Sequence, residues 1–170
     1  GSFGKVIHAD PELLREIKGV GDATVASLRI VQEAIALVLK EEVTEKPVLL
    51  HWKALLDYCR ALMGHLPTEQ FRVLYLNKKG MLIADELQGS GTVDNAPIYP
   101  RETVKRALFL GASAIVLVHN HPSGDPTPSG EDINMTYAII HACKPVGITV
   151  HDHVIVSATR HYSFKSHGVI

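Results

Sequence analysis

The sequence predicts an α/β protein: a mixed sheet flanked by helices, preceded by a small N-terminal helical hairpin. Three observations carry this. Ala114-Ile115-Val116-Leu117-Val118 is a β-branched apolar run of the kind that forms a fully buried strand. Residues 71–76 and 81–87 flank Asn77-Lys78-Lys79-Gly80 as the arms of a hairpin flank its turn. Helical patterns are interleaved with these strands rather than collected at one end, which indicates a sheet covered by helices.

In chain order, Asp10 can cap a first helix with Pro11 at its opening position. Gly19-Val20-Gly21 separates it from a second helix starting near Asp22, where Val25, Leu28, Val31, Ile35 and Val38 recur at helical spacing. Residues 40–47 are charged and end in Pro47, so they read as a linker. Residues 1–46 then form a hairpin segment and linker, and residues 47–170 the larger domain. A helix from about Trp52 to Met63 leads into the strand hairpin. Pro100 opens a helix to about Leu110, ahead of the buried strand. A further helix covers residues 129–143. Pro145 and Gly147 end it before residues 148–156, the last clear strand. There are no internal repeats and no low-complexity tract.

Bulk features fit a cytoplasmic enzyme. A chain of 170 residues with 46% apolar content can bury a sizeable core. No run approaches the ~20 apolar residues of a membrane span, and acidic residues follow the N-terminus too closely for a signal peptide. The chain reads as starting inside a larger protein. Cys59 and Cys143 suggest neither a disulfide framework nor a cysteine-based zinc site. A net charge of −1 predicts no strong whole-molecule attraction to nucleic acid.

The chemistry concentrates after the buried strand. A strand ending at His119 puts His119 and His121 on one side of the chain, where both imidazoles can reach one ion. Pro122-Ser123-Gly124-Asp125-Pro126-Thr127-Pro128 can continue neither strand nor helix and reads as a stiff loop. The helix after it brings back Asp132 as an oxygen ligand. Two nitrogens and a carboxylate leave a fourth position for water, the arrangement of a catalytic zinc site. The pieces also have plainer explanations. Ten histidines in 170 residues give ~0.6 His-x-His pairs by chance, and His151-Asp152-His153 is a second such pair. Ser129-Gly130-Glu131-Asp132 fits a capping box, in which the carboxylate returns to the backbone at a helix start. The combination of strand, His pair, rigid loop and acid in a first helical turn favours the metal.

The stretch from His119 to Asp132, HNHPSGDPTPSGED, resembles the metal-binding motif of JAMM (MPN-plus) metalloproteases in the version carried by the bacterial RadC family. The resemblance extends through Glu69-Gln70-Phe71-Arg72-Val73-Leu74, Gly91-Thr92-Val93, Tyr99-Pro100-Arg101-Glu102, Asp152-His153 and Tyr162-Ser163-Phe164, over roughly residues 48–170. It implies the MPN/JAMM-like fold and a zinc ion held by His119, His121 and Asp132. It also implies Glu69 as general base and Ser129 as a donor to the tetrahedral intermediate. The sequence alone would not choose Glu69 over Glu86, Glu102 or Glu131. The family pattern has an apolar residue where His151 stands. His151 therefore reads as a surface histidine, with an additional contact near the metal as the alternative. His153 either orients a ligand by hydrogen bond or is a satisfied core histidine. His161 and His167 read as surface residues, and spacing supplies no partner for His8, His51, His65 or His141.

Gly19-Val20-Gly21 between two helices resembles a helix-hairpin-helix DNA-binding motif, in which free N–H groups at a helix start hold a phosphate. A plain helical hairpin fits equally. Residues 1–46 hold six basic and eight acidic side chains, where counterion release favours a basic patch. DNA binding there is expected to be weak and non-specific. The sequence thus reads as a zinc-dependent hydrolase of the JAMM type acting on a peptide or isopeptide bond in a peptide or protein substrate, in a RadC-like protein associated with DNA and its repair. A metal-dependent nuclease and a non-catalytic DNA-associated scaffold with a structural zinc are the alternatives.

Overall fold

The computed structural model describes residues 3–90 and 98–170. Gly91-Thr92-Val93 of the family pattern lies outside them. Helices α1 (Phe3–Ile7), α2 (Pro11–Arg15) and α3 (Asp22–Glu45) come first, then α4 (Trp52–Met63), β1 (Gln70–Leu76), β2 (Leu82–Ser90), α5 (Pro100–Leu110), β3 (Ala114–Asn120), α6 (Gly130–Cys143), β4 (Thr149–Val156) and β5 (His161–Ser163). The five strands form one mixed sheet in the order β2-β1-β3-β4-β5. Only β3 and β4 run parallel, and α6 supplies the crossover that a parallel pair requires.

Alternation along the strands divides the core in two. Leu74, Leu76, Val116, Val118, Val154 and Val156 face α4 and the end of α3, against Leu55, Cys59 and Met63. Phe71, Val73, Tyr75, Ile115 and Leu117 face α5 and α6, against Ala107, Ile139 and Cys143. Burial on both faces explains why β3 reads as an unbroken apolar run. Its continuation at His119 falls on the α5/α6 side, in register with Phe71 of β1.

The N-terminal segment departs from expectation. Residues 40–45 are not a linker but the last turns of α3, which ends only at Lys46 and Pro47. Their charges sit on the solvent side, while Val43 is 2% exposed and packs in the core beside Leu39. Burying a valine is worth roughly 1.5–3 kcal/mol, enough to hold a charged stretch in helix. The inward stripe also differs from the sequence pattern. Val25, Ala36 and Val43 are buried, whereas Val31, Ile35 and Val38 are exposed. The extra helix α1 and the short strand β5 were not expected. No helix among the described residues is long and apolar enough to cross a membrane.

Candidate metal centre

The site lies at the carboxyl end of β3, where the parallel pair opens toward the start of α6. Crevices outside the carboxyl ends of strands are where open α/β sheets bind ligands. β3 delivers His119, which is buried, and His121 follows at the strand exit, half-buried. Asp132 returns from the first turn of α6. His119 Nε2 is 3.0 Å from His121 Nε2 and 3.1 Å from Asp132 Oδ1, and His121 Nε2 is 3.7 Å from Asp132 Oδ2. Donors about 2.0–2.1 Å from a tetrahedral ion lie roughly 3.3 Å from one another, so the three side chains fit a single small divalent cation. Among the described residues no other group of three or more His, Cys, Asp or Glu side chains has this geometry.

The capping role and the contact with His119 use different oxygens of Asp132, while His121 lies nearer the capping oxygen. Oδ2 accepts from the Ser129 backbone N–H and from the Ser129 hydroxyl, each at 2.7 Å, while Ser129 Oγ accepts from the Asp132 N–H at 3.1 Å. This is the expected capping box. Oδ1 is left toward His119. Ser129 therefore stands at the site with its hydroxyl engaged by Asp132.

The charges reflect the same contacts. Burial favours an ionisable carboxyl's neutral form, but the facing imidazoles of His119 and His121 and the Ser129 hydroxyl outweigh it and hold Asp132 well below the usual carboxylate range. Burial lowers the His119 pKa despite Asp132. At His121 burial acts in the same direction, but Asp132 and the Asp125 carbonyl outweigh it and the pKa is raised. The Asp125 carbonyl lies 2.8 Å from His121 Nδ1 and can only accept, so Nδ1 carries the proton and Nε2 presents its lone pair to the centre. The stiff loop thus sets the orientation of the second histidine.

Glu69 lies just before β1 and lines the same cleft, about 870 Å3 in volume, together with His119, His121, Ser129 and Asp132. Its placement depends on Asn120, the residue between the two histidines, which points to the other face of β3. The buried Asn120 amide accepts from Gln70 N–H at 2.8 Å and donates to the Thr68 carbonyl at 3.1 Å. Both neighbours of Glu69 are thereby tied to the strand that carries the histidines. Sequence reading missed this clamp, although a buried amide in a strand needs such partners. It also missed Thr136, one helical turn beyond Asp132 and fully buried.

Of the second His pair, His153 joins the site. It is fully buried, and its Nε2 is 2.7 Å from His119 Nδ1. His151 is half-buried rather than on the surface and lies edge-on to Trp52 of α4, on the other side of the sheet. His161 and His167 are exposed, as expected. His8 and His65 stack on each other at 3.8 Å, a long-range pairing that sequence spacing could not supply. In the hairpin, Gly19 has φ of 89°, Gly21 caps α3, and Arg15 pairs with Asp22 at 2.8 Å.

Comparison with known proteins converges on one family. The family model described as RadC-like JAB domain matches residues 49–169. A UPF0758 protein of Rhodobacter capsulatus is 55% identical over 170 residues, which is all of this chain and 79% of that protein. A UPF0758 protein of Ruegeria pomeroyi is 51% identical over the same 170 residues, covering 76% of its length. The N-terminal hairpin lies outside the residues matched by the family model.

Proposed function

The chain belongs to the RadC family, whose JAB domain is that of metal-dependent, JAMM-like hydrolases, and from that premise we propose that it holds one zinc ion through His119, His121 and Asp132 and hydrolyses a peptide or isopeptide bond. The observation that carries this reading is the convergence of His119 Nε2, His121 Nε2 and the Asp132 carboxylate at spacings that suit one tetrahedral ion, at the wall of an open cleft. Three protein donors leave a position for water. A zinc ion there would lower the pKa of a water toward ~7 and polarise a carbonyl.

The protein's own groups have the following roles. Glu69, held at the cleft by the Asn120 clamp, takes the proton of the attacking water and passes it to the leaving amine. Asp132 is oriented by the Ser129 backbone and hydroxyl. Ser129 serves the developing oxyanion only if its hydroxyl turns away from Asp132 Oδ2. The lining favours peptide over nucleic acid. Glu69, Glu131 and Asp132 are its charged residues apart from the histidines, and no lysine or arginine lines it among the described residues. A polyanionic backbone gains nothing from such a surface, whereas a neutral peptide or a lysine-bearing isopeptide meets no repulsion.

The test uses one preparation of the intact chain. Zinc content is measured for the parent and for the His119→Ala, His121→Ala double variant. Both are then offered peptides, lysine isopeptides and DNA, with and without chelator. The reading expects a single zinc per chain, lost in the double variant, and chelator-sensitive cleavage of an amide. Cleavage of DNA alone, or zinc retained by the double variant, overturns it.

A further inference from the structure

Behind the three converging donors runs a chain of hydrogen bonds whose direction is fixed at one end. Thr136 Oγ1 lies 2.5 Å from the Asp132 backbone carbonyl, which can only accept, so the hydroxyl proton is committed there. Thr136 Oγ1 also lies 2.6 Å from His153 Nδ1. With its own proton spent, the hydroxyl can only accept, and His153 must carry its proton on Nδ1. His153 is fully buried between Phe71 and Phe164, with ring centroids at 5.5 and 4.5 Å, and neither ring nitrogen meets a carboxylate, since the adjacent Asp152 accepts from the His153 backbone N–H instead. It is therefore neutral, and its Nε2 is an acceptor. That acceptor faces His119 Nδ1 at 2.7 Å, so His119 is protonated on Nδ1 and presents a bare Nε2 to His121 and Asp132.

We propose that Thr136 and His153 are positioning residues that set the tautomer of His119 and so ready its Nε2 to bind a metal ion. The inference rests on the zinc reading above for its consequence, but the tautomers themselves do not depend on it. A free imidazole can carry its proton on either nitrogen. An Nε2 proton on His119 would stand where the ion belongs and would have to be displaced. His121 is fixed by a backbone carbonyl of the loop, whereas His119 sits inside the core on a strand. It needs a buried acceptor, and His153 is one only because Thr136 holds the other side of its ring. The chain begins and ends in α6. The helix that brings Asp132 as a donor also orients, through Asp132's own carbonyl, the histidine across from it.

The experiment uses the intact chain, and the probe is zinc alone. Long-range 1H–15N spectra of the histidine rings are recorded on the metal-free protein at about pH 8, where free imidazoles are neutral. His119→Ala and His153→Ala spectra assign the signals. Zinc dissociation constants come from competition with a chromophoric chelator. The expected parent spectrum has Nδ1–H at both His119 and His153. Thr136→Val keeps the shape and removes the hydroxyl. It should weaken zinc binding by ~10–100-fold and release the Nδ1–H preference, while Thr136→Ser restores both. A residue that mattered only to packing would not be rescued in tautomer and affinity together. Nε2–H at either ring in the parent, or unchanged affinity and tautomers in Thr136→Val, overturns the proposal. If Thr136→Val does not fold, the parent spectrum decides alone. Zinc bound equally by the parent and the His119→Ala, His121→Ala variant would refute the zinc reading instead, and the tautomers would still decide this one.

Discussion

Asn120→Ala is the perturbation that best separates holding the metal from using it. The Asn120 side chain faces away from the donors and makes two bonds to the backbone on either side of Glu69. Each hydrogen bond is worth about 1 kcal/mol net. Gln70 and Thr68 are only half-buried, so water can replace part of what is lost. The expected loss is therefore about 2 kcal/mol, which in a chain of this size lowers Tm by ~4–8 °C. Zinc affinity should hardly move, since His119, His121 and Asp132 keep their contacts. Turnover should fall steeply, because a misplacement of roughly 1 Å in a reacting group can cost ~10²-fold. The assay is Tm by calorimetry, zinc by competition, and amide cleavage at zinc saturation and below the melting transition. A variant that melts early, keeps its zinc and hydrolyses at the parent rate would refute the reasoning. Either the segment would then be held by β1 pairing alone, or Glu69 would not be the base.

The remaining predictions are narrower. Glu69→Gln preserves shape and removes the proton acceptor, so hydrolysis should drop ~10²–10⁴-fold with zinc content and Tm retained; unchanged turnover rejects the mechanism. Ser129→Ala removes the cap on α6, costing about 1 kcal/mol or ~2–4 °C in Tm. A further loss of ~10²-fold in kcat would be needed to give the hydroxyl an oxyanion role, and a variant that only melts earlier confines it to capping. His119 and His153, both buried, have folded pKa values below the ordinary 6.5. The unfolded chain therefore takes up protons there that the fold does not, and stability is lost as pH falls below about 6.5. His121, whose pKa is raised, opposes this but stands against two buried rings, so metal-free Tm should fall between about pH 7.5 and 5.5; a flat profile contradicts the assignment. If the hairpin holds phosphate, the Asp22 carboxylate at the start of α3 opposes it. Asp22→Asn should then tighten binding of a short duplex in a salt-sensitive way, and an unchanged affinity means the duplex binds elsewhere or not at all.

The fold was legible wherever local pattern and burial agree. The Trp52–Met63 and Pro100–Leu110 helices have the bounds expected from sequence, and the buried strand and both arms of the hairpin are where their alternation and turn residues put them. Residues 40–45 misled because charge on a solvent face is compatible with helix, and only Val43 marks the side that packs. β5 was illegible for a different reason. Three residues paired to Val154–Val156 are held by the neighbouring strand, with too short a pattern of their own. At the site, His119, His121 and Asp132 could be picked out because a strand end, a rigid loop and a helix start are all local signals. The supports were not. Asn120 reaches back to Thr68 and Gln70, and His153 reaches across the sheet to His119, contacts separated by tens of residues.

Capping and metal binding at Asp132 read from sequence as competing explanations, and the geometry makes them one arrangement. A carboxylate at the third position of a helix that served only the cap would have no reason to face a buried histidine. One that served only a metal would be free to rotate, at an entropic cost on binding. Here Oδ2 is held twice by Ser129, which fixes the carboxylate plane and leaves Oδ1 3.1 Å from His119 Nε2. The cap thus meets the ordering cost when the chain folds, before any ion arrives. The same holds for each histidine, since His121 Nδ1 is committed to the Asp125 carbonyl and His119 Nδ1 to His153. Every donor has its second polar atom tied to the scaffold. Preorganisation of this kind is what a site for a tightly held, small cation requires, and it is why the supporting residues, as much as the three donors, distinguish this crevice from a chance cluster of histidines.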